Sequence, residues 1–207
     1  DSRSFILGIA GGSGSGKSWV AHRLREICLG RVSVVQTDWY YRDRSDVKGR
    51  ARLKLNFDHP RAIEVPLLSL ALRSLAAGNP VKTPRYDYAT HRRLEQKVVL
   101  RPTSLVIIEG LFVLHEVSIF KLLDYAIYLD VPADQRLILR LRRDQDSRNI
   151  DVAEVLRLYE TFVRPMHERF VHPSRRRADE VWPELPTEDR IRKLVRKLRA
   201  MGMTLKC

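Results

Sequence analysis

Hydrophobic positions along the chain follow two alternating rhythms. Short apolar runs at Phe5–Ala10, Val32–Gln36, Leu105–Ile108 and Ala126–Leu129 are apolar on both faces and rich in β-branched residues. That is the pattern of strands buried in a parallel sheet. Between them, Lys17–Cys28, Ala62–Ala77, Pro132–Arg143 and Val152–Val171 carry helical spacing, and Gly78-Asn79-Pro80 ends the second of these. From Thr187 a last helix is predicted. Thr187 caps it, Glu188 and Asp189 suit its positive end, and Ile191, Leu194, Val195 and Leu198 form its apolar stripe. The β-α-β-α order predicts an α/β fold, a parallel sheet sandwiched by helices. With no internal repeat or linker in view, one domain over residues 1–207 is expected.

Composition narrows the class. A chain of 207 residues with 44% hydrophobic and 30% charged residues supports one substantial globular core. No apolar run is long enough for a membrane span, and the first residues lack a secretory signal pattern, so no membrane partner is expected. The two cysteines, Cys28 and Cys207, make neither a disulfide framework nor a metal cluster and fit a reducing cytoplasm. A net charge of +13 calls for an anionic partner, and nucleotides and nucleic acids both qualify.

The motif that separates these partners is Gly11-Gly12-Ser13-Gly14-Ser15-Gly16-Lys17-Ser18, directly after a predicted strand and before a predicted helix. Glycines let backbone N–H groups wrap phosphates at a helix N-terminus. Lys17 neutralises β/γ-phosphate charge, and the Ser18 hydroxyl suits Mg²⁺. The fold is thus expected to be of the P-loop NTPase type. Val106-Ile107-Ile108-Glu109-Gly110 supplies a second magnesium carboxylate at the end of a buried strand.

A kinase also needs an alcohol held near a carboxylate, and cations around the group in transit. Asp38 follows the Val32–Gln36 strand, at the sheet edge where α/β proteins bind ligands. It can orient a hydroxyl and accept its proton late. Arg136, Arg140, Arg142, Arg143 and Arg148 crowd around Asp144. Guanidinium forks suit phosphoryl charge, and a flap over residues 140–152 carrying them would close over ATP.

Several stretches together resemble the uridine/cytidine kinase family of P-loop kinases. Besides GGSGSGKS they are TDWYY at 37–41, NFDHP at 56–60, TPRYDYATH at 83–91, VIIEG at 106–110, LRLRRD at 139–144 and the run from Tyr159 to Pro183. The resemblance implies ATP- or GTP-dependent phosphorylation of a ribonucleoside 5′-hydroxyl, as in pyrimidine salvage, with Mg²⁺ and a small-molecule nucleoside as partner. It implies Asp38 as catalytic carboxylate with Lys17 and Arg143, and Ser18, Asp38 and Glu109 at the magnesium positions. Residues Gly11, Gly12, Ser13, Gly14, Ser15, Gly16, Lys17 and Ser18 would hold the nucleotide phosphates, with Arg143 and Arg148 reaching them from the lid. Tyr41 would line the nucleoside pocket, Asp58 and Arg140 would hold the ribose hydroxyls, and Tyr86, Tyr88 and His91, on a small hairpin lobe at 80–101, would meet the base. Family members are commonly tetramers, so a homo-oligomer is implied.

The chain departs from the family pattern at Ile150 and Leu158, where the family carries an arginine and a glutamine near the base. A more apolar pocket is expected. Two other readings stand beside this one: a sugar-phosphate kinase resembling phosphoribulokinase, and a basic P-loop ATPase that binds nucleic acid. The absence of any recognised nucleic-acid module weighs against the second.

Overall fold

The computed structural model describes residues 3–29, 31–88, 90–148 and 150–203. Along the chain, strand β1 (Phe5–Gly11) leads through the glycine loop into helix α1 (Lys17–Ile27), and β2 (Val32–Gln36) ends in a 3-10 turn over Thr37–Tyr40. Helix α2 (Val65–Ala76) precedes an antiparallel hairpin of β3 (Val81–Asp87) and β4 (Arg92–Leu100). Then come β5 (Leu105–Gly110), the short α3 (Val117–Phe120), β6 (Tyr125–Leu129) and α4 (Ala133–Arg148). The chain closes through α5 (Val152–Leu158), α6 (Arg164–Met166), β7 (Glu180–Trp182) and α7 (Glu188–Ala200).

The main sheet has the order β2-β5-β1-β6-β7, and every neighbouring pair is parallel. Alternation along β1 shows why it sits at the centre. Ile6 and Ala10 join one apolar cluster, with Leu68, Leu72 and Leu75 of α2. Leu7 and Ile9 join the other, with Val20 and Leu24 of α1 and the whole Ile191–Leu194–Val195–Leu198 stripe of α7. Successive strand side chains point to opposite faces, so a strand apolar at every position needs helices on both. The expected sandwich is the observed one.

Three local differences from the expected elements have physical causes. Helix α4 continues five residues past Arg143, because Asp144 pairs with Arg140 and Arg148 one turn to either side. The helix expected over Val152–Val171 carries wide π-type turns, at Tyr159–Val163 between α5 and α6 and at His167–Val171 after α6. Pro165 lies between them and has no N–H to donate to a regular ladder. Strand β7, three residues with Val181 exposed, is too short to show a period in the sequence. Cys28 is buried; Cys207 and Asn149 lie outside the described residues. Among the described residues no helix is long and apolar enough to cross a membrane.

Candidate active site

The glycine loop follows β1 at the carboxyl edge of the sheet. Gly14 and Gly16 take positive φ values of 80° and 89°, which a side chain would strain. The turn they permit brings Lys17 back over the loop, where its Nζ donates to Gly12 O at 2.8 Å. Lys17 is buried, and burial lowers its pKa to about 8, against the opposing pull of Glu109 and Asp38.

Strand register carries two carboxylates to this loop. On β5, Glu109 stands beside Ile9 of β1 and Gln36 of β2, and Asp38 lies two residues beyond Gln36. Ser18 Oγ donates to Glu109 Oε1 at 2.8 Å. Glu109 is 5% exposed, and its burial raises its pKa to about 7, only partly offset by the Lys17 ammonium. A carboxylate this short of compensating charge favours an added cation. Among the described residues no group of three His, Cys, Asp or Glu could hold a metal by protein alone. The donor set of one hydroxyl and two carboxylates fits Mg²⁺, which keeps waters and takes the rest of its shell from phosphates.

Facing the loop, Arg140 Nη1 donates to Ser13 Oγ at 2.9 Å and lies 3.8 Å from Asp58 Oδ1. The guanidinium thus links the glycine loop to a partly buried carboxylate. Burial raises the Asp58 pKa, with Arg140 opposing. Asp144, 1% exposed, gathers Arg140 at 3.3 Å, Arg143 at 2.8 Å and Arg148 at 3.4 Å. The Arg140 Nε contact is an ion pair without hydrogen-bond alignment, since neither atom finds a hydrogen-bond partner. Asp144 therefore sets the direction of three cations, while Arg142 points to solvent.

The hairpin closes the far side. Arg93 ties it to the segment after β2 by donating to Tyr41 O at 2.9 Å and pairing with Glu64 at 2.8 Å. Tyr41, Phe57 and Tyr86 meet edge to face, and His91 stacks on Phe57 at 4.9 Å with an interplanar angle of 27°. His91 holds a positive φ of 55°, uncommon outside glycine, which presents its ring from the hairpin turn. Arg148 lies over the Tyr88 ring at 4.7 Å, joining α4 to the hairpin.

A cavity of about 910 Å³ runs between these parts. From the expected site residues it collects Ser13, Lys17, Ser18, Asp38, Tyr41, Asp58, Tyr86, Tyr88, His91, Glu109, Arg140, Arg143 and Arg148. Gly11, Gly12, Gly14, Ser15 and Gly16 do not line it; they form the loop itself. Ile150 and Leu158 are in its wall, with Phe162, so the departures from the family pattern face the cavity. Sequence reasoning passed over Phe57 and Phe162 as lining residues. Phe57 was legible only as the centre of the Asn56–Pro60 stretch, and Phe162 lies in a π-type turn that helical spacing does not reveal.

A strand, a glycine loop with a buried lysine, and carboxylates at the ends of two neighbouring strands define a P-loop kinase fold. Residues 6–190 match the model of the phosphoribulokinase / uridine kinase family, and the chain belongs to that family. The uridine kinase of Deinococcus deserti is 42% identical over 182 residues, covering 87% of this chain and 88% of the relative. That of Staphylococcus epidermidis is 39% identical over 180 residues, covering 86% and 87%. In fold, the chain superposes on phosphoribulokinase from Rhodobacter spheroides with a TM-score of 0.62 at 17% identity, covering 86% of this chain and 71% of that one.

Proposed function

We propose that this chain transfers the γ-phosphoryl group of ATP to the 5′-hydroxyl of a pyrimidine ribonucleoside, uridine or cytidine, in a Mg²⁺-dependent reaction in the cytoplasm. The observation that carries the reading is that one cavity is lined at once by Lys17, Ser18 and Glu109, by Asp38, by the Asp58–Arg140 pair and by an aromatic hairpin. A carboxylate beside a guanidinium answers the two hydroxyls of a ribose, the first accepting and the second donating. The Tyr86, Tyr88 and His91 rings offer flat surfaces, and the His91 imidazole nitrogens offer hydrogen bonds, to a base. Asp38 orients the 5′-hydroxyl and takes its proton late, as a loose transition state allows. Lys17 and Arg143 face the charge that spreads over the transferred group. When bound between Ser18, Asp38 and Glu109, Mg²⁺ supplies neutralisation of the β- and γ-phosphate oxygens.

Incubating the protein with Mg·ATP and a panel of ribonucleosides and sugar phosphates tests this. Uridine or cytidine monophosphate is expected as product, and Asp38→Asn is expected to lower kcat by about 10²–10⁴-fold with little change in KM for ATP. Absence of monophosphate from every nucleoside, with turnover of ribulose 5-phosphate, would overturn the assignment. Near-normal turnover in Asp38→Asn would remove that residue from its role.

A further inference from the structure

Arg136, in the first turns of α4, has no place among the groups described so far. It does not line the cavity, yet it is 5% exposed and packed against the glycine loop. A Cβ on Gly12 would stand 2.9 Å from its guanidinium carbon and 3.0 Å from its Cδ, and one on Gly14 would stand 3.0 Å from its carbonyl carbon. Side chain and backbone therefore both press on the loop, which leaves room only for glycine at these two positions. Nε donates to Val131 O at 3.0 Å and fixes the fork in place.

Among the described residues the guanidinium has no ion-pair partner. Nη1 is fully buried without a hydrogen-bond partner, and among the described residues no carboxylate pairs with it. Its charge is felt by Lys17, Tyr128 and His167. His167 Nδ1 is buried and lacks a partner too, and burial, with the Arg136 charge next, lowers the pKa of His167 to about 3, so it stays a neutral ring. Arg140, one turn along the same helix, has two carboxylates by contrast. A buried cation left unpaired weakens the folded state, and an apolar side chain of like volume would serve the packing better.

We propose that Arg136 is a positioning residue for the polyphosphate of the nucleotide: it holds Gly12 and Gly14 in the cradle and keeps behind the loop a positive charge that is balanced when the phosphates bind. This rests on the kinase reading, since it needs a triphosphate in the loop. The site then carries a stored mismatch in the empty protein that the anion relieves, the trade of stability for function expected at preorganised electrostatic sites.

Thermal unfolding of wild type, Arg136→Met and Arg136→Lys, each alone, with Mg·ATP and with inorganic tripolyphosphate, separates this from a structural strut. Arg136→Met is expected to unfold at or above the wild-type temperature when empty, and to show a much smaller rise with either anion. Its KM for ATP is expected to increase on the order of 10-fold while KM for the nucleoside holds, and Arg136→Lys is expected to recover most of both. The proposal fails if empty Arg136→Met unfolds several degrees lower or does not fold, or if its anion-induced rise and KM for ATP match wild type. A wild-type protein that phosphorylates nothing and gains no stability from Mg·ATP would instead bring down the kinase reading beneath it.

Discussion

At the residue scale the cavity is governed by an imbalance of buried charge, and its sign can be followed with pH. Glu109 titrates near 7 in the folded chain against an ordinary 4.5, because burial disfavours its anion. The folded state therefore holds that proton more tightly than the unfolded state. The stability this contributes is complete below about pH 4.5 and is lost as pH rises to about 7. Lys17 is the mirror case: with its pKa lowered to about 8 from 10.5, its contribution improves as pH climbs through that interval. Exposed acids such as Glu188 and Asp189 have pKa values lowered by Arg23 and Lys193, and they oppose the Glu109 trend at acid pH. The comparison is therefore wild type against Glu109→Gln, without nucleotide. Between pH 4.5 and 7 the melting temperature of wild type is expected to fall relative to the variant. Parallel curves across that window would show that Glu109 titrates as an ordinary carboxylate.

At the scale of elements, the two carboxylates that converge on the glycine loop are coupled through one tight contact between strand ends. A Cβ on Gly110 would stand 2.7 Å from Thr37 Cγ2 and 2.8 Å from Thr37 Cβ, so the end of β5 and the 3-10 turn after β2 fit only with glycine there. Thr37 in turn donates to Asp38 Oδ1 at 3.4 Å. Gly110→Ala is expected to push that turn outward and carry Asp38 with it. A displacement near 1 Å at a reacting group costs roughly 10²-fold in kcat, against a stability loss of about 1–3 kcal/mol for overpacking. Full turnover in a stably folded variant would mean that the turn gives way without moving Asp38. None of this coupling was legible in the sequence, although both elements were. The strands declared themselves because β1, β5 and β6 are apolar on both faces, and α7 because its stripe and cap are regular. The π-type turns around Pro165 and the short β7 were not legible: the first preserves helical polarity while shifting its phase, and the second is shorter than any period. Asp38 and Glu109 were readable as carboxylates at the ends of predicted strands, whereas Asp58 was readable only through the family motif; that these ends meet at one loop was not, since strand order is a property of packing.

The whole molecule brings back the charge that composition announced without explaining. A net +13 is far more than the few cations lining the cavity, and helix α7, with six basic residues against two acidic ones, carries +4 of it. Exposed charges act on an approaching ligand over about 10 Å at 0.1 M salt and little beyond about 3 Å at 1 M. A field of this sign concentrates anions near the cavity mouth whether or not they are productive. The two substrates of the proposed reaction differ in the property being tested, because Mg·ATP is anionic and a nucleoside is neutral. Raising salt from about 0.05 M to about 0.5 M is therefore expected to increase KM for Mg·ATP several-fold while KM for uridine changes less than about twofold. Equal changes in both constants would show that the surface charge does not reach the site. Lys17, Arg140 and Arg143, which line the cavity, would then account for nucleotide affinity by themselves, and the basic exterior would need a different explanation.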